Sequence, residues 1–370
     1  MASRTPKPTY NTDHIDCSWA AATHRRTSLF SVFHARVVRA AIKKFRAAMK
    51  SQTINLHELQ IDAQNHAHTT WQGTPALYLE NGLATVPNIE LDNAEIEVLI
   101  AAEGPAYPGI VFRQADNHNY ELAYAVPHCS GLSDAIQYDP VFNGSNTWQL
   151  YYGDSYQGLA DVPMNSWFTF KVAFLNGRSV ISVGDQSPLV VEKLVHPFRA
   201  GQFGLWTFRP AYFSDLQIRS IDKLDLPAGH PAHAPEGAVD AWHVEGCGVV
   251  HCEPNGVLNL NRLFPPSGEE AHLVRSFELS SACQVNFNLG YSDTLSLKLD
   301  GELIHEGENT FSGFADRAAR GYAELSGELV SCELGAGVHR ISADLSVSEG
   351  FGWGLVVTVH APGLIWLPVE

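Results

Sequence analysis

The sequence predicts an all-β protein: two antiparallel β-sandwiches of the jelly-roll kind, joined by a Pro/Ala/Gly-rich linker. Three observations carry this. Short runs of alternating apolar and polar residues recur from Ile54 to Ile221 and again from Ala238 to about Ala361. Asn176-Gly177 and Asp300-Gly301 sit between matched alternating runs, where a tight hairpin needs residues that accept positive φ. No helical crossover of the kind a parallel α/β sheet requires is readable between the runs. A chain of 370 residues also exceeds one ordinary core, so two globular units are expected.

Residues 1–50 are a basic extension, helical or disordered, with ten Lys/Arg against two Asp. Phe30, Phe33, Val37, Ala41 and Phe45 share one helical stripe, with Arg36, Arg39, Lys43, Lys44 and Arg46 mostly off it. Two readings stand: a helix that touches a membrane surface or directs import, or an upstream extension of a protein that begins at Met49. No signal peptide and no apolar run of about 18 residues is recognisable, which leaves a cytoplasmic location by default and no transmembrane segment.

Residues 51–223 make the first sandwich, with strands in AEIEVLIA (94–101), GIVFRQ (109–114), YELAYAV (120–126), WFTFKVAFLNGRSVISVGD (167–185) and YFSDLQIRSI (212–221). Residues 224–237 are the linker, whose His230 and His233 read as solvated rather than as metal ligands. Residues 238–370 make the second sandwich, including CQVNFNLG (283–290), DTLSLKLDGELIHEG (293–307) and WGLVVTVHA (353–361). Between 311 and 328, ADRAARGYAEL reads as a short helix or an excursion over a sheet edge.

Charge and cysteine narrow the partners. Beyond residue 50 the chain has 14 Lys/Arg against 38 Asp/Glu, within a whole-chain net charge of −16. Such a body has no basic surface to neutralise phosphates, so nucleic acid is excluded as the main partner, and neutral or calcium-bridged ligands are favoured. The six cysteines lack a CxxC pair and read as buried free thiols. A Cys247–Cys252 or Cys283–Cys332 bridge is the alternative in an oxidising compartment.

The order AEIEVLIA, PGIVFRQADNHNYELAYA, NSWFTFKVAFLNGRSVISVGDQ and FRAGQFGLWTFRPAYFSDLQI resembles the concanavalin A-like lectin/glucanase superfamily. Within it the likeness is to laminin-G-like and 3-keto-disaccharide hydrolase-like domains. The second block, through GYSDTLSLKLDGELIHEG, Gly337-Val338-His339-Arg340-Ile341 and GFGWGLVVTV, resembles the galactose-binding-like jelly rolls appended to glycoside hydrolases. These resemblances imply the folds and leave the function open, because the same jelly roll serves lectins, adhesion modules, glucanases and silent structural domains.

The densest candidate for chemistry is SDAIQYDPVFNGSNTWQLYYGDSYQG (133–158). A sugar presents apolar C–H faces rimmed by hydroxyls, so its site needs flat rings beside amides and carboxylates. Tyr138, Phe142, Trp148, Tyr151, Tyr152 and Tyr156 supply the rings; Asp134, Gln137, Asp139, Asn143, Asn146 and Asp154 supply the polar groups. The other reading is a loop that buries its aromatics over its own sheet. On the first reading the ligand-binding set is Tyr124, His128, Asp134, Gln137, Tyr138, Asn143, Trp148, Tyr151 and Tyr156. The 3-keto-disaccharide hydrolase resemblance implies that Arg113 and Glu121 point into the cleft, Glu121 as acid–base carboxylate and Arg113 as its electrostatic partner. A cross-strand surface ion pair is the alternative, and strand register decides between them.

Other signals are weaker. Glu90-Leu91-Asp92-Asn93-Ala94-Glu95 has the letters of the glucanase E-x-D-x-x-E strand but stands at a turn, and reads as chance. His66 and His68 share a face; Asp116, Asp134 and Asp139 are compatible with structural calcium without defining a ligand set. No G-x-S-x-G, HExxH or phosphate-cradling loop occurs. In the second block, Trp353 reads as core, and Asp293, Arg317 and Tyr322 as loop contacts. The expected function is glycan recognition without a cofactor. The alternatives are a glycoside hydrolase using Glu121 and a non-catalytic structural or protein-binding module.

Overall fold

The structure is a computed structural model that describes residues 51–224, 227–265, 270–313, 316–325 and 328–369. The basic extension, Cys17 and Met49 lie outside the described residues. The described chain is all-β, and its strand pairings are antiparallel throughout.

Thirteen strands form one sheet: β1 Gln52–Thr53, β2 Gln60–Trp71, β3 Thr74–Leu91, β4 Ala94–Ala101, β5 Tyr107–Asp116, β6 Asn119–Ala125, β7 Ile136–Tyr138, β8 Gln157–Gly158, β9 Phe168–Leu175, β10 Arg178–Val183, β11 Leu189–Val191, β12 Gly201–Phe208 and β13 Ala211–Ser220. Their order is β11-β10-β9-β4-β13-β3-β12-β5-β6-β7-β8, with β1 on β13 and β2 on β3. The sheet doubles back on itself. β12 and β13 follow one another along the long strand β3, pairing with residues 82–91 and 77–79 respectively, and the break between them falls at Arg209-Pro210. The two halves then face each other: Phe112 of β5 and Phe174 of β9 meet with ring centroids 5.0 Å apart. Period-two patterning explains the packing, since Ala94, Ile96, Val98 and Ile100 of β4 all point inward and are fully buried. The hairpin at Asn176-Gly177 is present, with φ of 52° and 81° at its two residues.

The remaining strands are β14 Ala241–Val244, β15 Gly248–His251, β16 Leu258–Asn259, β17 Glu270–Leu279, β18 Cys283–Tyr291, β19 Asp293–Leu299, β20 Glu302–Asn309, β21 Glu328–Leu334, β22 Gly337–Ser346, β23 Gly354–His360 and β24 Leu364–Trp366. They form a seven-stranded sheet, β15-β14-β17-β22-β19-β20 with β24 on β17, and a four-stranded sheet, β16-β23-β18-β21. Leu273, Phe277, Leu295, Ile341 and Leu345 of the first pack against Val285, Phe287, Leu355 and Val357 of the second. Trp353, just before β23, is fully buried here, as the sequence expects. Arg317–Arg320 is a single 3₁₀ turn. Among the described residues no disulfide joins Cys129, Cys252, Cys283 or Cys332. His230 and His233 are exposed, and the linker lies against the first sandwich, where Gly229 N donates to Glu192 Oε1 (3.0 Å).

Candidate functional site

Strand register assembles a row of side chains across the outer face of the first sandwich. Asp62 pairs with Leu83, Leu83 with Trp206, Trp206 with Gly109, Gly109 with Tyr124, and Tyr124 with Gln137. Directly paired residues project to the same face, so this one line crosses β2, β3, β12, β5, β6 and β7. Two residues along, Phe208 pairs with Tyr107 and adds a second, shorter row. Gly109 has no side chain to keep the flanking rings apart, and Tyr124 and Trp206 meet above it with centroids 5.8 Å apart. Tyr107 stands edge-on to Tyr124 (5.9 Å) and His128 (5.0 Å) and meets Phe208 (5.8 Å). Leu83, Val111, Tyr120, Leu122 and Tyr124 form an apolar floor separate from the main core, with Tyr107 and Trp206 partly open at its margin.

Polar groups rim this aromatic shelf. At one end Thr85 Oγ1 donates to Gln114 Oε1 (3.1 Å), Gln114 Nε2 to Asn117 Oδ1 (3.2 Å), and Asn117 Nδ2 to Asp62 Oδ2 (3.1 Å). The Trp206 indole donates to the Tyr120 hydroxyl. At the other end Tyr124 donates to Gln137 Oε1 (3.2 Å), and Gln137 Nε2 to the Asp134 carbonyl (3.1 Å). Burial and the nearby Cys129 push the Tyr107 hydroxyl up to about 12, and burial followed by the Arg209 charge holds the His128 imidazole below its usual value. At neutral pH both are therefore neutral hydrogen-bonding groups. Partly open rings beside fixed amides and a carboxylate are the chemistry a saccharide face requires.

The expectation for Glu121 and Arg113 is corrected by register. Glu121 pairs with Phe112, whose face is the inner one, so its carboxylate enters the core and has no exposure. It accepts from Tyr138 Oη (2.5 Å), His196 N (3.2 Å) and Arg113 Nη1 (3.3 Å). Arg113 turns inward after Phe112 because a β-bulge inserts one residue opposite β12 and places Arg113 at φ 47°. Glycine at 201 makes room for that bulge: a Cβ there would lie 2.5 Å from the Gln114 carbonyl oxygen and 2.6 Å from the Arg113 carbonyl carbon. Burial pushes the Glu121 carboxyl up to about 7 against the opposing pull of Arg113. The pair is neither a surface ion pair nor a cleft dyad. It is a sealed internal charge cluster, and among the described residues no second carboxylate shares a hydrogen bond or ion pair with it.

The stretch 133–158 takes a different place from the one its composition suggested. Tyr138, Tyr151 and Tyr156 are core residues of the first sandwich, and Tyr151 stands edge-on to Tyr156 (5.2 Å). Trp148 packs on Tyr322 (5.6 Å), Phe351 (5.6 Å) and Phe311 (5.9 Å) of the second block. Asn143 Nδ2 donates to the Asn261 carbonyl (2.7 Å), Tyr152 to the Ala323 carbonyl (2.9 Å), Gln149 Nε2 to the Arg320 carbonyl (3.1 Å) and Gln157 Nε2 to Tyr322 Oη (2.9 Å). Asp134 and Arg320 form an ion pair across the same seam. Of the sequence-derived ligand set, Tyr124, His128, Asp134 and Gln137 border the shelf, whereas Tyr138, Asn143, Trp148, Tyr151 and Tyr156 belong to the core or the seam. Arg317 is drawn into the seam as well, over Tyr322 (4.9 Å).

The calcium candidates are committed to protein donors: Asp116 to His118 N (2.7 Å), Asp139 to Thr147 N (2.7 Å) and Asn146 Nδ2 (2.7 Å), and Asp134 to Arg320. Asp293 is likewise occupied by Ser348 Oγ (2.7 Å) and the Ser348 and Glu349 amides. His68 stacks on His57 (3.8 Å) on an exposed strand. Among the described residues one group has metal-ligand spacing, Glu270, His272 and Asp344, and Asp344 there already accepts from Lys298 Nζ (2.9 Å). Sequence reasoning missed Trp206, Phe208, Tyr107 and Asp62. The available signal was the alternation in FGLWTFRP (203–210), which sends Phe203 and Leu205 inward and therefore Trp206 and Phe208 outward together.

No family model matches the chain, and no curated protein matches it. Solved structures do. A carbohydrate binding module, CBM66 from Bacillus subtilis, shares 19% identity over 46% of this chain and 95% of that one, with a TM-score of 0.33. A protein with a galectin-like fold from Bacillus subtilis shares 9% over 45% and 90%, with a TM-score of 0.35. The GH43 protein BlXynB from Bacillus licheniformis shares 8% over 46% of this chain and 38% of its own, with a TM-score of 0.33.

Proposed function

We propose that the chain is a saccharide-binding protein whose ligand lies on the outer face of β2-β3-β12-β5-β6. The partly open rings of Trp206, Tyr107 and Phe208 take the apolar sugar faces, and Asp62, Asn117, His128 and the Asp134–Gln137 edge take the hydroxyls. The observation that supports this reading is the cross-strand row Asp62–Leu83–Trp206–Gly109–Tyr124–Gln137, which puts aromatic and polar groups side by side on one rigid sheet. In this reading residues 51–223 are a concanavalin A-like sandwich, 224–237 a linker, and 238–370 a galactose-binding-like sandwich that braces the first. Hydrolysis at Glu121 draws no support from a carboxyl group that has no exposure.

The test is saturation-transfer NMR on the full chain with a panel of neutral, acidic and oxidised oligosaccharides, followed over hours. Transfer to an intact sugar, lost in Trp206→Ala while the melting temperature stays within a few degrees, is the expected outcome. Silence across the panel, or transfer indifferent to Trp206→Ala, would sink the proposal. Accumulating cleavage products would replace it with an enzyme.

A further inference from the structure

Arg209 occupies an unusual position at the end of the shelf. It stands at the break between β12 and β13 with φ 72°, a conformation an L-residue adopts only at a cost, and residues held so often serve a site. The backbone there is pinned: Arg209 N donates to Asn81 Oδ1 (2.7 Å), and Thr207 Oγ1 donates to the Arg209 carbonyl (2.8 Å). The guanidinium is carried over the Phe208 ring at 5.7 Å, on the exposed side of the row that contains Tyr107. Among the described residues it makes no ion pair and no side-chain hydrogen bond, although the chain as a whole has a net charge of −16. The acid that acts on both Tyr107 and His128, Asp134, is already paired with Arg320. Its field reaches both shelf groups beside it, Tyr107 and His128.

We infer that the saccharide is an acidic one, a uronic acid or another carboxylate-bearing sugar, and that Arg209 receives its carboxylate while the ring lies along Phe208, Tyr107 and Trp206. This inference rests on the saccharide reading of the shelf. A guanidinium presents two parallel N–H donors that match a carboxylate, whereas a neutral hydroxyl takes one. The ion pair with Arg320 offsets the Asp134 charge beside the shelf. The opposite end, where Asp62 is exposed, suits hydroxyl donors of the next residue, so the shelf has a direction: acidic group toward Arg209, neutral sugar toward Asp62.

The experiment is calorimetric titration of the full chain with matched pairs of oligosaccharides on several backbones, one member ending in a neutral sugar and the other in the corresponding uronic acid. The uronate is expected to bind about tenfold or more tightly at low salt, and the preference to shrink in 1 M salt. Arg209→Gln should bring the ratio of the two affinities close to one, and Arg209→Lys should restore part of it. Equal binding of both members by the native chain overturns the acidic-ligand inference and leaves the saccharide reading standing. A uronate preference that persists in Arg209→Gln overturns the assignment to Arg209. Absence of binding to every pair overturns both.

Discussion

At the scale of single residues, three positions separate what side chains look like from what they do. Glu121 has the type expected of a catalytic acid and the raised pKa that accompanies one, yet both come from complete burial beside Arg113 and Tyr138. Removing one member of such a pair leaves a buried charge without its partner. Glu121→Gln should therefore cost about 3–5 kcal/mol in urea titrations at pH 8. A catalytic carboxylate in an open cleft would instead leave stability intact, and that outcome would reinstate the hydrolase reading. Trp206 is the reverse case: it makes no charge and no motif, and its role follows only from where its neighbours in register stand. Trp148 stands amid amides, a composition that suits a sugar. Tryptophan amid amides also suits an interface between two folded blocks, and composition does not distinguish them.

At the scale of elements, the alternation within each strand was legible, and so were the hairpins. The bulge in β5 was not. It appears in the sequence only as Phe112-Arg113-Gln114, with glycine at 201 on another strand ninety residues away, and the two meet only after β12 docks. The bulge turns Arg113 inward and sets the register beyond it, so Gly201→Ala is expected to destabilise by about 1–3 kcal/mol and to weaken the Arg113–Glu121 pair. Gly109 is a second such position, since a Cβ there would lie 2.6 Å from Tyr124 Cβ. Gly109→Ala should cost a similar amount and shift the fluorescence of Trp206, because the two rings above it must separate. An unchanged spectrum with unchanged stability would contradict the register described above.

At the scale of the whole molecule, the seam between the sandwiches and the buried carboxylates govern stability. Trp148, Gln149, Tyr152, Gln157 and the Asp134–Arg320 pair cross the seam together. The described chain should therefore unfold in one calorimetric transition, and Gln149→Ala combined with Tyr152→Phe should split or broaden it. Burial raises Glu121 to about 7 and Asp139 to about 7. A carboxyl raised in the folded state holds a proton that the unfolded chain has already released. Its stabilising contribution is full below about pH 4 and is lost as the pH rises through about 7. Melting temperature should accordingly fall across that window, and Glu121→Gln should make the slope shallower even though it lowers stability throughout. A melting temperature that rises across the window would show that these two groups do not dominate.

What the sequence by itself determined is the class of the protein: alternating runs with Asn-Gly and Asp-Gly turns can bury one face only by pairing into antiparallel sheets, and that physics is local. Of the side chains the sequence marks, Tyr124, His128, Asp134 and Gln137 lie at the margin of the shelf, but only Tyr124 and Gln137 stand there through strand periodicity, His128 being in a short 3₁₀ turn and Asp134 in a loop. Which face each strand turned outward, which aromatics were left open and which carboxylate was sealed were decided by the tertiary structure. Those outcomes depend on register between strands distant in the chain and on the docking of the second sandwich over 133–158. A one-residue change in either exchanges core for surface without altering any local pattern.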